Sequence, residues 1–297
     1  MSDGSICVVA PCYNEGTVAV RFVEELANVL ATVGQPCELL MVDDASTDDT
    51  VARLRTISTL PPRITLRVLE LPYNMGHQDA IYQGLCEAAK GNAARIVVMD
   101  SDGEDDPQAI PQALAQQASI VLIARGKRRE NWRFKLGYFF YRILFRFITD
   151  RSISFGNFSV IDRRVLQAAT DRGFTHYAAF LSKQKASTAV IVSDRRARID
   201  GKSKMGYKSL SIHAFKSLIE YSDEVLALLL KGCAFLSLLS VSAIIYILHE
   251  KLFTDRAIPG WASTLILSLI NSTLLCLGFF AIGLLLTQTV ERTRKRS

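Results

Sequence analysis

The chain has six cysteines, Cys7, Cys12, Cys37, Cys86, Cys233 and Cys276, but no CxxC pair among its 297 residues. That scatter argues against a disulfide framework or a zinc site and suits a reducing compartment. Internal repeats and low-complexity segments are also missing, and Pro61-Pro62 reads as a turn. Met1 to Ser5 is polar and the apolar run after it stops at Pro11, so no secretory leader is expected and the N-terminal domain should stay in the cytosol. Two motif classes fail on spacing. Gly201-Lys202-Ser203 has Arg196 where the first glycine of a P-loop would fall, which excludes that ATPase reading. An EF-hand counted from Asp100 would meet Pro111 where a bidentate glutamate is needed.

What is present begins with apolar bulk: 49% of the residues are hydrophobic, enough for a sizeable core. Trp261 to Val290 carries basic and acidic side chains nowhere and exceeds the ~20 residues that cross a bilayer as a helix. Val225 to Leu248 is similar, with Lys231 near one end where it can snorkel. The net charge of +6 is concentrated beside apolar segments. Arg125, Lys127, Arg128, Arg129, Arg133 and Lys135 precede the aromatic run Tyr138 to Tyr141, and Arg292, Arg294, Lys295 and Arg296 follow the last apolar stretch. This pattern marks a lipid surface, with no nucleic acid expected. The positive-inside rule puts both ends of the hairpin in the cytoplasm.

Strands and helices alternate up to about residue 124. Strands are predicted at Ile6 to Ala10, Glu38 to Val42, Thr65 to Leu69, Arg95 to Met99 and Ile120 to Ala124. Helices are predicted at Val18 to Val33, Asp48 to Ser58, His77 to Ala89 and Gln108 to Gln117. Alternation of this kind implies an α/β domain with a mainly parallel sheet. Farther on come a basic aromatic helix around Trp132 to Ile148, strands at Asn157 to Ile161 and Ala189 to Ser193, and a helix from Arg163. Tyr207, Leu210, Ala214, Leu218 and Tyr221 recur at helical spacing, as in a helix lying in a membrane interface. The expected division is a cytosolic domain over 1–205, an interfacial amphipathic helix over 206–224, a two-span transmembrane hairpin over 225–290 and a basic tail over 291–297.

Three strand ends carry the chemistry, and strand C-termini are where open α/β sheets bind ligands. In extended backbone, residues two apart face one side, so Asp100, Asp102 and Glu104 can converge. Clustered carboxylates repel unless a cation joins them, and oxygen-only ligands favour Mg²⁺ or Mn²⁺ with substrate phosphates completing the shell. Asp43-Asp44 ends another strand, with Ser46-Thr47-Asp48 behind it as a helix cap. The two aspartates can accept from ribose hydroxyls or a base. After Pro11, Tyr13 can pack on a base and Glu15 can accept from it.

Together these segments resemble the inverting family-two glycosyltransferases, in the branch of dolichol-phosphate mannose synthase and bacterial polyprenyl-phosphate glycosyltransferases. The resemblance runs through Val-Val-Ala-Pro-Cys-Tyr-Asn-Glu, Asp-Asp-Ala-Ser-Thr-Asp, Asn-Met-Gly-His-Gln, the D-x-D and the double-span tail, and covers nearly the whole chain. It implies a nucleotide-sugar-binding (GT-A-like) fold. It further implies that Pro11, Tyr13, Glu15, Asp43 and Asp44 bind the nucleoside, that Asp100, Asp102 and Glu104 hold Mg²⁺ or Mn²⁺ on the donor diphosphate, and that Asp102 is catalytic. Gly76, His77 and Gln78 form an element of the lipid-phosphate branch. Arg125 falls where the family has an arginine near the transferring phosphates, and Ser203-Lys204 matches a loop that closes over donor and acceptor. Departures are Glu104 for a usual glutamine, Ala45 for a common glycine, and Met205-Gly206 where an aromatic is typical. The expected substrates are a UDP- or GDP-linked sugar and a polyprenyl phosphate in the bilayer of a bacterial inner membrane. A homo-oligomer is compatible with the sequence. A processive polysaccharide synthase is disfavoured, because no Q-x-x-R-W element occurs and two spans are few for a polymer channel. A non-catalytic scaffold would not need Asp100, Asp102 and Lys204 intact.

Overall fold

The computed structural model describes residues 4–125, 155–194, 196, 219–253 and 260–294, with backbone alone at 125, 155, 261 and 287–294. The basic aromatic helix expected around Trp132 to Ile148, most of the 206–224 interfacial helix, and Ser203 and Lys204 therefore lie outside the described residues.

The chain divides into two units, one ending at Glu220 and carrying the sheet, the other taking up from Tyr221. In the first, β1 (Ile6–Cys12), β2 (Cys37–Asp43), β3 (Ile64–Glu70), β4 (Arg95–Val98), β5 (Ile120–Arg125), β6 (Phe155–Asp162) and β7 (Thr188–Ser193) form one sheet, among the described residues, in the order β3-β2-β1-β4-β6-β5-β7. Every strand runs parallel to its neighbours except β6, which is antiparallel to both β4 and β5. That reversal brings the start of β6 to the edge where the parallel strands end. The register Cys12↔Asp43↔Glu70 aligns three of those strand ends.

Alternate residues of β1 feed two cores, as period-two side-chain placement requires. Ile6, Val8 and Ala10 pack with α1 (Gly16–Ala31), α2 (Thr50–Arg55) and α4 (Ala109–Leu114) through Phe22, Leu26, Leu54 and Ile110. Cys7 and Val9 face α3 (His77–Ala89), α5 (Arg163–Arg172) and α6 (Tyr177–Lys183) through Ile81, Leu85, Leu166 and Phe180. Burial on both faces explains why β1 and β2 read as continuous apolar runs. A Cβ on Gly84 would lie 2.4 Å from Val9 Cγ1 and 2.8 Å from Val42 Cγ2. The missing side chain is what lets α3 seat directly on β1 and β2.

The second unit contains α7 (Ser222–Phe253) and α8 (Trp261–Arg294). Their apolar windows have mean hydropathies of 2.1 and 2.2, with large residues such as Leu238, Tyr246, Leu267 and Phe279 exposed. These helices fit a transmembrane hairpin by length and composition.

Candidate active site

The loops at the C-terminal ends of β1, β2, β3 and β4 are bonded to one another by side chains. After β1, Asn14 takes a left-handed φ of 52°, and its N–H donates to Ser46 Oγ at 2.8 Å. Asn14 Oδ1 in turn accepts from Thr47 N–H at 2.8 Å. Thr50 Oγ1 accepts from Glu15 N–H at 3.0 Å and from Gly16 N–H at 2.8 Å, satisfying donors that the start of α1 leaves open. The Ser/Thr cap expected on α2 is corrected here. Its N-cap is Asp49, without a side-chain cap bond, and the Ser46 hydroxyl serves the neighbouring loop instead.

The Asp43-Asp44 pair is buried, and its oxygens hold backbone. Asp43 Oδ2 accepts from Ser46 N–H at 2.9 Å. Asp44 accepts from Met75 N–H at 2.7 Å and from Gly76 N–H at 2.9 Å, one to each oxygen. Burial pushes the Asp44 carboxyl above the usual range, against the pull of those two donors. Between the aspartates and Ser46, Ala45 adopts a φ of 58°, a region that suits the glycine common there in the family.

Ser101 links β4 to β1, donating to the Pro11 carbonyl at 2.6 Å and meeting the Glu15 carboxylate through a short contact. Tyr13 is 38% exposed, so its ring is accessible for stacking. On the other side of the D-x-D, Asp100 Oδ1 lies 3.1 Å from His77 Nε2 and 3.3 Å from Asn157 Nδ2. Burial works to lower the His77 pKa, but Asp100 first, then Glu15 and Asp102, outweigh it and the net shift is upward. Gln78 is buried and spends both ends of its amide internally, on Tyr177 and Asn157.

Asp102 Oδ1 accepts from Glu104 N–H at 3.0 Å, which closes the acidic turn around Gly103. Arg196 fastens that turn from outside: its N–H donates to Glu104 O at 3.0 Å, and its guanidinium meets Asp106 at 2.5 Å and Glu25. Among the described residues, no three or more His, Cys, Asp or Glu side chains are grouped to hold a metal. Asp100 and Asp102 remain a pair of hard oxygen donors at a strand end, a set that fits Mg²⁺ or Mn²⁺ when substrate phosphates supply further ligands.

Pro11, Tyr13, Glu15, Asp43, Asp44, Gly76, His77, Asp100 and Asp102 thus share one edge of the sheet. Arg125 ends β5, with its side chain outside the described part. Asn157, Ser101 and Arg196 were not picked out from sequence. A lone asparagine before the apolar run Phe158, Val160, Ile161 was the available signal for the first. Cysteine chemistry is excluded at β1, where burial pushes the Cys7 and Cys12 thiols far up and nearby carboxylates add to it.

A mainly parallel sheet with acidic loops gathered at the C-terminal ends of its strands is the arrangement in which open α/β sheets bind ligands. The pattern of Glycosyl transferase family 2 matches residues 7–168, and the chain belongs to that family. It is 30% identical to the uncharacterized glycosyltransferase YkcC of Bacillus subtilis (strain 168), over 97% of this chain and 90% of that one. It is 28% identical to the undecaprenyl-phosphate 4-deoxy-4-formamido-L-arabinose transferase of Pectobacterium carotovorum, over 50% of this chain and 46% of that one. Among solved structures, glucosyl-3-phosphoglycerate synthase from Mycobacterium tuberculosis, crystallised with Mn²⁺, UDP and phosphoglyceric acid, shares the fold. The TM-score is 0.54 at 16% identity, covering 74% of this chain and 78% of that one. The protein is accordingly a glycosyltransferase with a GT-A-like fold.

Proposed function

We propose that this protein transfers a sugar from a nucleoside-diphosphate sugar to a polyprenyl phosphate in the membrane, with inversion at the anomeric carbon. The observation that carries the reading is the presence in one chain of the strand-end site and of two helices apolar and long enough to span a bilayer. Relatives named as undecaprenyl-phosphate sugar transferases support the acceptor class. The basic tail favours a hairpin with both ends in the cytoplasm, at a bacterial inner membrane.

In this reading Tyr13 stacks on the base, while Glu15 and Asp43 accept from the nucleoside. Asp44 acts by holding the turn at Gly76. Asp100 and Asp102 would hold Mg²⁺ or Mn²⁺, which when bound neutralises the departing nucleoside diphosphate. A phosphate monoester has a second pKa of about 6 and is mostly dianionic at neutral pH, so the nucleophile needs little help from a base. The protein's part is positioning and electrostatics, with His77 beside Asp100 and with Arg125 and Lys204 on the phosphates.

The test is to incubate the protein in bilayers with a panel of nucleotide sugars and a polyprenyl phosphate and to read the lipid product by mass. A polyprenyl-phosphate monosaccharide is the expected product. Transfer to a free glycan or a non-phosphorylated lipid in its place would reject the acceptor. Asp102→Asn should abolish product at limiting cation while leaving melting behaviour unchanged.

A further inference from the structure

Tyr177 opens α6, and its backbone N–H belongs to the first turn of a helix, where no intrahelical carbonyl can take it. The neighbouring donors find other partners: Thr175 N–H and His176 N–H meet the Glu220 carboxylate at 2.8 and 3.4 Å, and Ala179 N–H meets His176 Nδ1 at 3.3 Å. Tyr177 N–H donates to Gln78 Oε1 at 2.6 Å.

A backbone N–H can only donate, so this contact fixes which end of the Gln78 amide is oxygen. Its NH₂ must then face Asn157, where Oδ1 accepts at 3.4 Å. With Asn157 Oδ1 so committed, Asn157 Nδ2 is turned toward Asp100 Oδ1 at 3.3 Å and donates to it, whereas His77 Nε2, 2.9 Å from the same nitrogen, can accept from it only in the neutral tautomer. Gln78 is 4% exposed and Asn157 9%, so water does not readily replace either partner. Ser159 Oγ adds a bond to the Asn157 carbonyl at 3.1 Å, steadying the backbone on which the amide sits.

We propose that Gln78 and Asn157 form an amide relay, polarised by the Tyr177 N–H, that presents a fixed NH₂ donor to Asp100 and so orients the D-x-D carboxylate. Both are positioning residues: neither need touch substrate, and Gln78 acts through Asn157. The assignment rests on the reading that Asp100 faces the donor diphosphate and its cation, but the relay itself is a property of the folded chain.

A double-mutant cycle on the full-length protein in lipid nanodiscs tests it, with Mn²⁺ binding in the presence of UDP measured by calorimetry, without turnover. Asn157→Ala removes the donor that fixes the orientation of the Asp100 carboxylate, so binding should weaken about tenfold or more. Gln78→Met should weaken it comparably in the wild-type background yet by less than about twofold on top of Asn157→Ala. Additive losses, or unaltered binding in Asn157→Ala, would overturn the relay. If Gln78→Met does not fold, Gln78→Asn, one methylene too short to reach both partners, replaces it.

A second readout is independent of any ligand. With ¹⁵N-labelled asparagine, the Asn157 side-chain amide signal should shift in the Gln78 variant. An unmoved signal in the Gln78 variant overturns the relay whatever the site binds. A wild-type protein that binds no Mn²⁺ and UDP, with the signal shift present, would instead count against the proposed donor.

Discussion

Asp44 and Gly76 are joined across two loops by a 2.9 Å bond from the Gly76 N–H, while the other Asp44 oxygen takes Met75 N–H at 2.7 Å. The carboxylate thereby fixes the residue that precedes His77, and Gly76, at a φ of 91°, is the hinge of that turn. Asp44→Asn is nearly isosteric but opposes an NH₂ to one of two backbone donors. The expected cost is about 1–3 kcal/mol for the unsatisfied buried group. Melting temperature should fall and the donor KM should rise, because the loop carrying His77 is released. Unchanged melting would show that the turn holds without this grip.

His77 gives the site a pH dependence of definite sign. Its folded pKa lies above the ordinary value of 6.5, because Asp100 and the more distant Glu15 and Asp102 outweigh burial. The folded state then keeps a proton that the unfolded chain releases, so this stabilisation is complete below about pH 6.5 and is lost as pH rises through the folded pKa. In cation-free buffer the melting temperature should decline over that interval, and His77→Gln should flatten the slope. An equal slope in both proteins would assign the dependence elsewhere.

The parallel sheet and the strand ends were legible because β1, β2 and β4 are buried on both faces and stop at turn-forming or acidic residues. Asp43, Asp44 and Asp100 could be placed at one edge from that pattern alone. What the pattern could not show is where their oxygens go. Asp44 and Gln78 read as ligand-binding groups, yet their bonds run to Met75, Gly76, Tyr177 and Asn157. Such partners lie up to 99 residues away, and no local periodicity encodes them. The antiparallel run of β6 was hidden for the same reason: strand direction depends on its pairing with β4 and β5.

Gly84 offers a test of how tightly α3 must sit. Gly84→Ala forces a methyl against Val9 Cγ1, which can yield only by moving the helix or a core side chain. Overpacking of this kind costs about 1–3 kcal/mol. Because α3 carries His77 at its start, the shift should also lower kcat. Val9→Ala added to Gly84→Ala should recover part of both losses; a double variant worse than either single one would refute this packing account.

Arg125 and Lys204 are expected to act on phosphate charge, and ionic strength separates that role from general attraction to an anionic surface. Arg125 ends the strand beside β6, at the edge where Asp100 and Asn157 meet. Arg125→Ala should mainly lower kcat, since its donors meet charge that grows as the leaving diphosphate separates. Loss of one such preorganised donor typically costs about 10²–10³ in kcat. Lys204→Ala should lower kcat and also raise KM for the lipid phosphate, as the residue of a loop that closes over the acceptor. Arg128→Ala is the comparison, a basic residue three positions on from Arg125. If all three cations served only to attract lipid, their losses would be modest, alike and relieved at low salt, where screening is weak. Large, dissimilar defects in Arg125→Ala and Lys204→Ala that persist at both ionic strengths, beside a small one in Arg128→Ala, are the expected result.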